Sequence, residues 1–371
     1  MLTTKKVLVV DDSALMRRTL RGILAGSGAF EVVTARSGLD ALEVLPLERP
    51  DVITLDVNMP DMDGLSCLAE IMKSQPTPVV MVSSLTERGA LVTLEALALG
   101  AVDFVAKPGG TVSLNLADIS AELVEKVARA AGARVRRSPG PASRPRPAPV
   151  PQPPVSTDVE LVLVGSSTGG PGLLGDIIDQ LPANFPAPVV VAQHLPASFT
   201  LALARRIGET AQVRVEEVTT PVPLEAGAVY IGHGDADVLV YRRTGTLMAR
   251  STPISDSHRW HPSVDRLVAS ARGVVAADRV IGVLLTGMGD DGAEEMAALR
   301  AEGGRTIAEA EETAVVWGMP GELVRRGGAT VVLPADQVAA EVLAWAGCGT
   351  GPARRTAWRP EQSGQGAGAW R

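Results

Sequence analysis

Short apolar runs alternate with helical patterns along residues 5–131. The apolar runs lie at 7–10, 32–33, 52–55, 79–82 and 102–105. Helical spacing of apolar residues follows Ser13 and recurs over 39–45, 91–99 and 116–131. A short apolar run between turn signals is typical of a buried strand. Regular alternation of such strands with helices indicates a doubly wound parallel sheet.

The same alternation resumes after a change of composition. Residues 132–157 are rich in Pro, Ala and Arg, which predicts an extended linker because proline blocks both helix and central strand. Further strands are predicted at 160–165, 188–192, 228–231, 280–285 and 329–333. Helices are predicted after Gly170-Pro171, Pro196 and Asp290-Asp291-Gly292. The chain is therefore predicted to be α/β, with two doubly wound parallel-sheet domains at 1–131 and 158–346 and a disordered tail at 347–371.

Composition excludes several classes of protein. The net charge of -7 on 371 residues gives no electrostatic basis for binding nucleic acid. Two cysteines, Cys67 and Cys348, are too few for a disulfide framework or a cysteine-based zinc site. No apolar run approaches the length of a membrane span, and the first residues do not look like a signal peptide. We expect a cytoplasmic protein.

Carboxylates follow two predicted strands of the first domain. Asp11 and Asp12 follow the first strand, and Asp56 follows the third. Neighbouring parallel strands would place these three acids in one pocket, where a cation such as Mg²⁺ relieves their repulsion. Ser83 and Lys107, at two further strand ends, add a hydroxyl and a positive charge. The alternative is that Asp11 and Asp12 only cap a helix and Asp56 lies in a turn.

This arrangement resembles the receiver domain of two-component response regulators, which has a flavodoxin-like fold. The matching residues are Asp11-Asp12, Asp56, Asn58-Met59-Pro60, Asp63-Gly64, Ser83 and Lys107-Pro108. The resemblance implies that Asp56 accepts a phosphoryl group from a histidine kinase. It also implies a Mg²⁺ site formed by Asp11, Asp12, Asp56 and the carbonyl of Asn58.

The resemblance further implies which residues respond to phosphorylation. Lys107 would pair with the acylphosphate, and Ser83 would donate a hydrogen bond to a phosphoryl oxygen. The aromatic switch position falls on Phe104, where tyrosine is common in the family. Phenylalanine has no hydroxyl to donate, so only its packing can report the switch.

The second domain carries a possible nucleophile. Residues 165–169 read Gly-Ser-Ser-Thr-Gly, a G-x-S-x-G string between a predicted strand and a helix. Glycines allow the sharp turn, and the helix N-terminus supplies N–H groups for an oxyanion. The string alone is weak, because glycine- and serine-rich turns also bind phosphate. A nucleophilic serine needs a base and a group that orients the base.

Histidines and carboxylates at other strand ends are the candidates for those two roles. Of the four histidines, His194 follows a predicted strand and so lies at the same sheet edge as the serines. His233 is more readily explained as a solvated loop residue. His258 and His261 are equally compatible with a substrate groove and with packing. Asp290 or Asp291, after the strand at 280–285, can reach an imidazole. The chain order Ser, His, Asp differs from that of α/β-hydrolases.

These motifs are similar to those of the chemotaxis protein-glutamate methylesterase (CheB) family. The matching segments are Gly165-Ser166-Ser167-Thr168-Gly169-Gly170, Gln193-His194, Pro262-Ser263-Val264-Asp265 and Leu285-Thr286-Gly287-Met288-Gly289-Asp290-Asp291-Gly292-Ala293. The resemblance implies a Rossmann-like α/β catalytic domain in which Ser167, rather than Ser166, is the nucleophile. It makes His194 the base, Asp291 the orienting carboxylate and the Met288 N–H an oxyanion donor. Residues 231–237 follow the family's usual loop only loosely.

The family resemblance implies a phosphorylation-activated hydrolase that uses no cofactor for its esterase reaction. Its substrates would be glutamate γ-methyl esters, and also glutamines, on methyl-accepting chemotaxis receptors. The unphosphorylated receiver domain would cover the mouth of the esterase. Three alternatives remain: a phospho-switch scaffold without activity, a methylesterase that serves a non-chemotaxis receptor array, and a transcriptional regulator. The last would need a helix-turn-helix and a basic face, which the second half of the chain lacks.

Overall fold

The computed structural model of the chain describes residues 4–83, 87–107, 116–133 and 159–348. The predicted linker, apart from residues 132 and 133, and the predicted tail beyond residue 348 lie outside the described residues. Among the helices of the described ranges, none has the length and apolar character that a membrane span requires.

The first parallel sheet contains five strands in the order β2-β1-β3-β4-β5. Its elements are β1 (Lys5–Val10), α1 (Ala14–Gly26), β2 (Phe30–Ala35), α2 (Gly38–Glu48), β3 (Val52–Asp56), α3 (Gly64–Ser74), β4 (Val79–Ser83), α4 (Glu87–Leu99), β5 (Asp103–Ala106) and α5 (Leu116–Ala130). Every residue of β3 and β4 is buried, as expected for central strands covered on both faces. All five predicted strands are present, and Ser13 caps α1 as the pattern suggested. Helix α3, capped by Asp63, lies outside the predicted elements.

The second parallel sheet contains seven strands in the order β15-β14-β13-β6-β7-β10-β8. The chain from residue 161 to 252 forms β6 (Leu161–Ser166), α6 (Gly170–Ile178), β7 (Val189–Gln193), α7 (Ala197–Thr210), β8 (Arg214–Val218), β9 (Val222–Pro223), β10 (Ala228–Gly232), β11 (Asp237–Arg243) and β12 (Thr246–Thr252). The remainder comprises α8 (Val264–Arg272), β13 (Val280–Leu284), α9 (Ala293–Ala301), β14 (Arg305–Glu309), α10 (Met319–Arg325), β15 (Val331–Leu333) and α11 (Ala335–Trp345). The two parallel sheets confirm the predicted α/β fold class.

A small antiparallel sheet, in the order β11-β12-β9, was not predicted. Strands β11 and β12 form a hairpin whose turn, Thr244 and Gly245, has φ angles of 48° and 86°. Positive φ at both turn residues matches the right-handed twist of the strands. Helix α8 packs against β11, which places this small sheet beside α8.

The two parallel sheets share a continuous buried apolar core through the helices between them. Helix α4, beside the first sheet, packs against α6 and α7, beside the second. At the same junction the rings of Phe104 and Phe199 stack with their centroids 4.3 Å apart. The start of β5 therefore lies against the unit that carries the candidate serine.

Candidate active site and phosphoacceptor site

The three candidate catalytic residues follow three adjacent strands of the second sheet. Ser167 directly follows β6, His194 directly follows β7, and Asp291 lies in the loop between β13 and α9. Strand β6 has β7 on one side and β13 on the other. The chain thus changes direction at β6, and such switch points at the carboxyl edge are where α/β sheets form ligand sites.

The two serines at the end of β6, Ser166 and Ser167, differ in burial and in hydrogen-bond partners. Ser166 is fully buried, and its hydroxyl donates to Gln193 Oε1 over 2.5 Å. The Gln193 amide in turn donates to the carbonyl of Ser167 over 2.9 Å. Ser167 is only partly buried, and its main-chain N–H donates to the carbonyl of Thr286, beside β13. This arrangement turns Ser166 into the core and leaves Ser167 at the sheet edge, which supports Ser167 as the nucleophile.

His194 and Asp291 form the central contact of the site. His194 Nε2 lies 2.8 Å from Asp291 Oδ2, and both side chains are almost completely buried. His194 Nδ1 is buried and has no hydrogen-bond partner among the described residues. The Trp260 ring stacks on the imidazole, with centroids 5.7 Å apart and planes 12° apart. A histidine that donates Nε2–H to the carboxylate keeps a free lone pair on Nδ1, which can then act as the base.

Asp291 accepts hydrogen bonds at both oxygens. Oδ1 accepts from the Ser263 hydroxyl and the Asp265 N–H, each over 3.0 Å, while Oδ2 also accepts from the Val264 N–H over 2.7 Å. These donors form the N-terminus of α8, which favours negative charge. Burial raises the pKa of the Asp291 carboxyl, but hydrogen bonds from His194 and this helix N-terminus outweigh burial and lower it overall. Asp291 is therefore held ionised beside the imidazole.

Asp265 makes the equivalent contact with the N-terminus of the neighbouring helix, α9. The sequence motif did not indicate a role for this residue. It lies in the first turn of α8, and its carboxyl accepts the N–H of Glu295, in the first turn of α9, over 3.2 Å. Asp291, just before α9, caps α8, so the two helices exchange carboxylates at their N-termini. Burial and the nearby charge of Asp291 raise the pKa of Asp265 to about 7.

We expect Asp265→Asn to stabilise the protein at high pH. The raised pKa means that the protonated Asp265 stabilises the fold at low pH, and this contribution disappears as pH rises towards 7. Asparagine keeps an amide donor towards Asp291 and cannot ionise. The variant should melt about 2–4 °C above wild type near pH 8 and close to wild type only below pH 4, where Asp265 is protonated in both the folded and the unfolded chain, as measured by calorimetry. A melting difference that does not change with pH would contradict the assignment.

The loop after β13 presents the Met288 N–H predicted to hold an oxyanion. The carbonyl of Gly287 accepts from the N–H groups of Gly318 and Met319, which fixes the loop on the start of α10. A side chain at position 287 would lie 2.3 Å from Met319 Sδ and 2.9 Å from Ser167 Cβ, so glycine permits this close approach to the nucleophile. Within the described ranges we find no acceptor for the Met288 N–H. It is therefore available to a substrate oxygen.

Each of the other three histidines contacts a residue other than Ser167, His194 and Asp291. His233 lies 2.8 Å from Glu217, and His261 lies 3.0 Å from Asp237. His258 contacts the hydroxyl of Ser257. His261 therefore contributes to a polar network below α8, which favours the packing role over the substrate-groove role for this residue.

The acidic cluster at the carboxyl edge of the first sheet has the composition of a cation site. One ligand oxygen from each of Asp11, Asp12 and Asp56 lies within 4.8 Å of the others, and Asp11 and Asp56 are fully buried. Asp11 Oδ2 is buried without a hydrogen-bond donor among the described residues. Burial and the charge of Asp56 raise the pKa of Asp11. A hard divalent cation would satisfy this oxygen and offset the repulsion, so the residues fit such an ion.

The remaining receiver candidates connect this cluster to the second sheet. Lys107 Nζ lies 2.7 Å from Asp56 Oδ2, and its N–H donates to the carbonyl of Ser83. Ser83 is buried at the end of β4. Phe104, three residues before Lys107, is buried against Phe199. The predicted switch position is thus part of the contact between the two units.

Polar contacts from the first unit also reach residues next to the candidate catalytic site. The hydroxyl of Thr168, next to Ser167, donates to Asp103 Oδ2 over 2.5 Å. On the other side of the site, Arg259 pairs with Glu125 of α5 at 2.8 Å and lies over the ring of Trp260. None of these contacts was predicted from the sequence, since each joins segments far apart in the chain.

Comparison with known proteins identifies both units of the chain. Residues 162–342 match the CheB methylesterase family, and residues 7–117 match the response regulator receiver domain. The protein-glutamate methylesterase/protein-glutamine glutaminase 3 of Rhodospirillum rubrum is 54% identical over 354 residues, which cover 92% of this chain and 96% of the relative. Its counterpart numbered 2 in Rhodopseudomonas palustris is 51% identical over 357 residues, covering 92% of this chain and 98% of the relative.

A solved structure, the Thermotoga maritima CheB methylesterase catalytic domain, aligns with 51% of this chain and 99% of its own, at 37% identity and a TM-score of 0.49. The two family matches together span both sheets and both candidate sites, and each of the two curated relatives covers 92% of the chain. The chain therefore belongs to the CheB methylesterase family and carries a response regulator receiver domain ahead of its methylesterase domain.

Proposed function

We propose that this protein is a phosphorylation-activated methylesterase that hydrolyses glutamate γ-methyl esters on chemotaxis receptors and deamidates glutamines on the same receptors. The observation that carries this proposal is the buried His194–Asp291 pair beside Ser167, on adjacent strand ends. The names of the curated relatives support the substrate class. We propose a receiver domain at 1–131, a linker at 132–157 and a methylesterase domain at 158–346.

In the first half of the reaction, His194 Nδ1 removes the proton from Ser167 Oγ as that oxygen attacks the ester carbonyl. Asp291 holds the imidazole by Nε2 and stabilises the positive charge that develops on it. The N–H of Met288 donates to the oxyanion. Breakdown of the tetrahedral intermediate transfers the proton from His194 to the leaving methoxide, and methanol departs.

In the second half, a water molecule replaces methanol. His194 removes a proton from this water, which attacks the acyl-enzyme and releases a glutamate carboxylate and Ser167. A glutamine side chain follows the same route with ammonia as the leaving group. These steps use Ser167, His194, Asp291 and the N–H of Met288, so the proposal assigns no cofactor to the esterase.

We infer that the receiver domain is phosphorylated on Asp56 by a histidine kinase. Asp11, Asp12, the Asp56 carboxylate and the Asn58 carbonyl would hold Mg²⁺, which neutralises charge on the transferred phosphoryl group. The buried Asp11 Oδ2 without a donor supports this ligand set. Lys107 already lies 2.7 Å from Asp56 and is placed to pair with a phosphoryl oxygen. A cytoplasmic location is part of the same proposal, and it fits two cysteines that are both free thiols.

Phosphorylation would act on the esterase through β5. Lys107, at the phosphoacceptor, follows the end of this strand. Asp103 and Phe104, at its start, contact the second unit. Movement of Lys107 and Ser83 on phosphorylation would shift β5. That shift would weaken the contacts of the strand with Thr168 and Phe199. The docked and released arrangements form a two-state element that the added charge biases.

We expect acetyl phosphate to raise the rate of methanol release from methylated receptors, about 5- to 150-fold, by releasing the receiver domain. The Asp56→Ala variant should keep the basal rate and lose the stimulation, because it has no carboxylate to phosphorylate. The measurement is methanol release with and without acetyl phosphate, with Ser167→Ala as the assay background. If acetyl phosphate has no effect on wild type, the proposed coupling is wrong even if hydrolysis is observed.

A further inference from the structure

An exposed arginine, Arg259, lies beside the candidate base on the surface where the two units meet. The Arg259 side chain is 69% exposed, and its guanidinium lies 4.6 Å from the centroid of the Trp260 ring. Trp260 in turn stacks on His194. Its indole nitrogen also lies next to Gly289, in the loop that follows Met288. Arg259 is thus separated from both the base and the oxyanion loop by one aromatic ring.

The partner of Arg259 is a glutamate on a helix of the receiver domain. Arg259 Nη2 lies 2.8 Å from Oε2 of Glu125, near the middle of α5. Glu125 has a second partner on its own helix, since its Oε1 lies 3.2 Å from Arg129. When the domains separate, Glu125 keeps this partner, whereas Arg259 loses its carboxylate. Separation therefore frees a cation at the mouth of the active site.

We propose that Arg259 is a substrate-recognition residue that binds an acidic side chain near the scissile ester, and that Glu125 occupies this position while the domains are docked. This inference rests on the proposed function. Glu125 presents a glutamate carboxylate to Arg259, and the proposed substrate likewise carries glutamyl groups. Glu125 then inhibits as a mimic of the substrate carboxylate, beyond covering the mouth of the site.

The exposure of the pair suits an exchangeable contact. Surface ion pairs contribute little net free energy and are screened by salt, so one carboxylate can replace another with little cost. A charge at the rim of a binding site acts mainly on association and on specificity. Arg259 should therefore affect the KM for acidic substrates and leave the kcat of the chemical step largely unchanged.

The test uses two helical peptides that carry the same glutamyl methyl ester, one with a glutamate four residues away and one with glutamine there. With acetyl phosphate, we expect full-length wild type to prefer the glutamate peptide about threefold to fivefold in kcat/KM at low salt, and less at high salt. Arg259→Gln should lose this preference, and Arg259→Lys should recover part of it. Arg250→Gln removes a similar exposed charge, which lies over the ring of Tyr241 and not over Trp260, and should keep the preference.

Without acetyl phosphate, the two partners of the ion pair should act in opposite directions. Glu125→Gln should raise kcat/KM for the glutamate peptide, because Arg259 is freed, whereas Arg259→Gln should not raise it. If both variants raise the basal rate equally and the peptide preference is unchanged, the pair is only a clasp between domains and the inference is wrong. If wild type hydrolyses neither peptide nor a methylated receptor, the proposed function fails and this inference fails with it.

Discussion

Replacing Ser167 with alanine should reduce kcat for methanol release by about 10⁴- to 10⁶-fold, because the neighbouring hydroxyls of Ser166 and Thr168 are buried and donate to Gln193 and Asp103. The wild-type protein should accumulate an acyl-enzyme on Ser167 when the reaction is quenched early with a good ester substrate, and mass spectrometry of the peptide containing residue 167 should detect it. The variant should show neither the adduct nor an initial burst of methanol.

The neighbouring serine provides the matched control. Ser166 donates to Gln193 and is buried in the core, so Ser166→Ala removes one buried hydrogen bond at a cost of about 1 kcal/mol in the free energy of unfolding. It should keep kcat within about tenfold of wild type, since only the support of the turn is weakened. Loss of activity in Ser166→Ala with retention in Ser167→Ala would show that the nucleophile has been assigned to the wrong serine.

The strands that carry the candidate residues were predictable from sequence because they are central and parallel. Strands β6, β7 and β13 consist of buried residues throughout, so they stand out as continuous apolar runs. The residue that follows each run must lie at the carboxyl edge of the sheet. This rule alone places Ser167 and His194 at the same edge.

The antiparallel sheet was missed because its strands are amphipathic and lie at the surface. Strand β11 mixes buried and exposed positions, and β12 carries polar residues on its open face. The available signal was the Thr244-Gly245 pair between two alternating segments, which is typical of a hairpin turn. Strand β14 was missed for a different reason, since Arg305 and Glu309 interrupt its apolar pattern at both ends.

Contacts between distant segments were beyond a reading of the sequence. The exchange of carboxylates between Asp265 and Asp291 requires that two helix N-termini face each other, which no local pattern specifies. The bond between Asp103 and Thr168 joins residues separated by the predicted linker. Such contacts depend on how packed elements are placed, and only the folded arrangement reveals them.

Replacing Asp291 with asparagine should lower kcat by about 10⁴-fold near pH 7. Both carboxylate oxygens accept hydrogen bonds, Oδ1 from Ser263 and Asp265 and Oδ2 from His194 and Val264. An amide group has one oxygen, so its nitrogen must face donors on one side. If the nitrogen faces His194, the imidazole must accept at Nε2 and carry its proton on Nδ1, which removes the lone pair that should deprotonate Ser167.

If the amide nitrogen instead takes the place of Oδ1, it faces two other donors, the Ser263 hydroxyl and the Asp265 N–H. The melting temperature then falls, while part of the activity survives. Kinetics and calorimetry on one variant therefore distinguish the two orientations. Asp290→Asn is the matched control, because Asp290 is exposed and should leave kcat unchanged. The position of the strand ends alone left Asp290 and Asp291 as rival partners of the imidazole, and the family resemblance assigned Asp291. A loss of activity in Asp290→Asn, with activity kept in Asp291→Asn, would decide for the other carboxylate and overturn the assignment made from the 2.8 Å contact with His194.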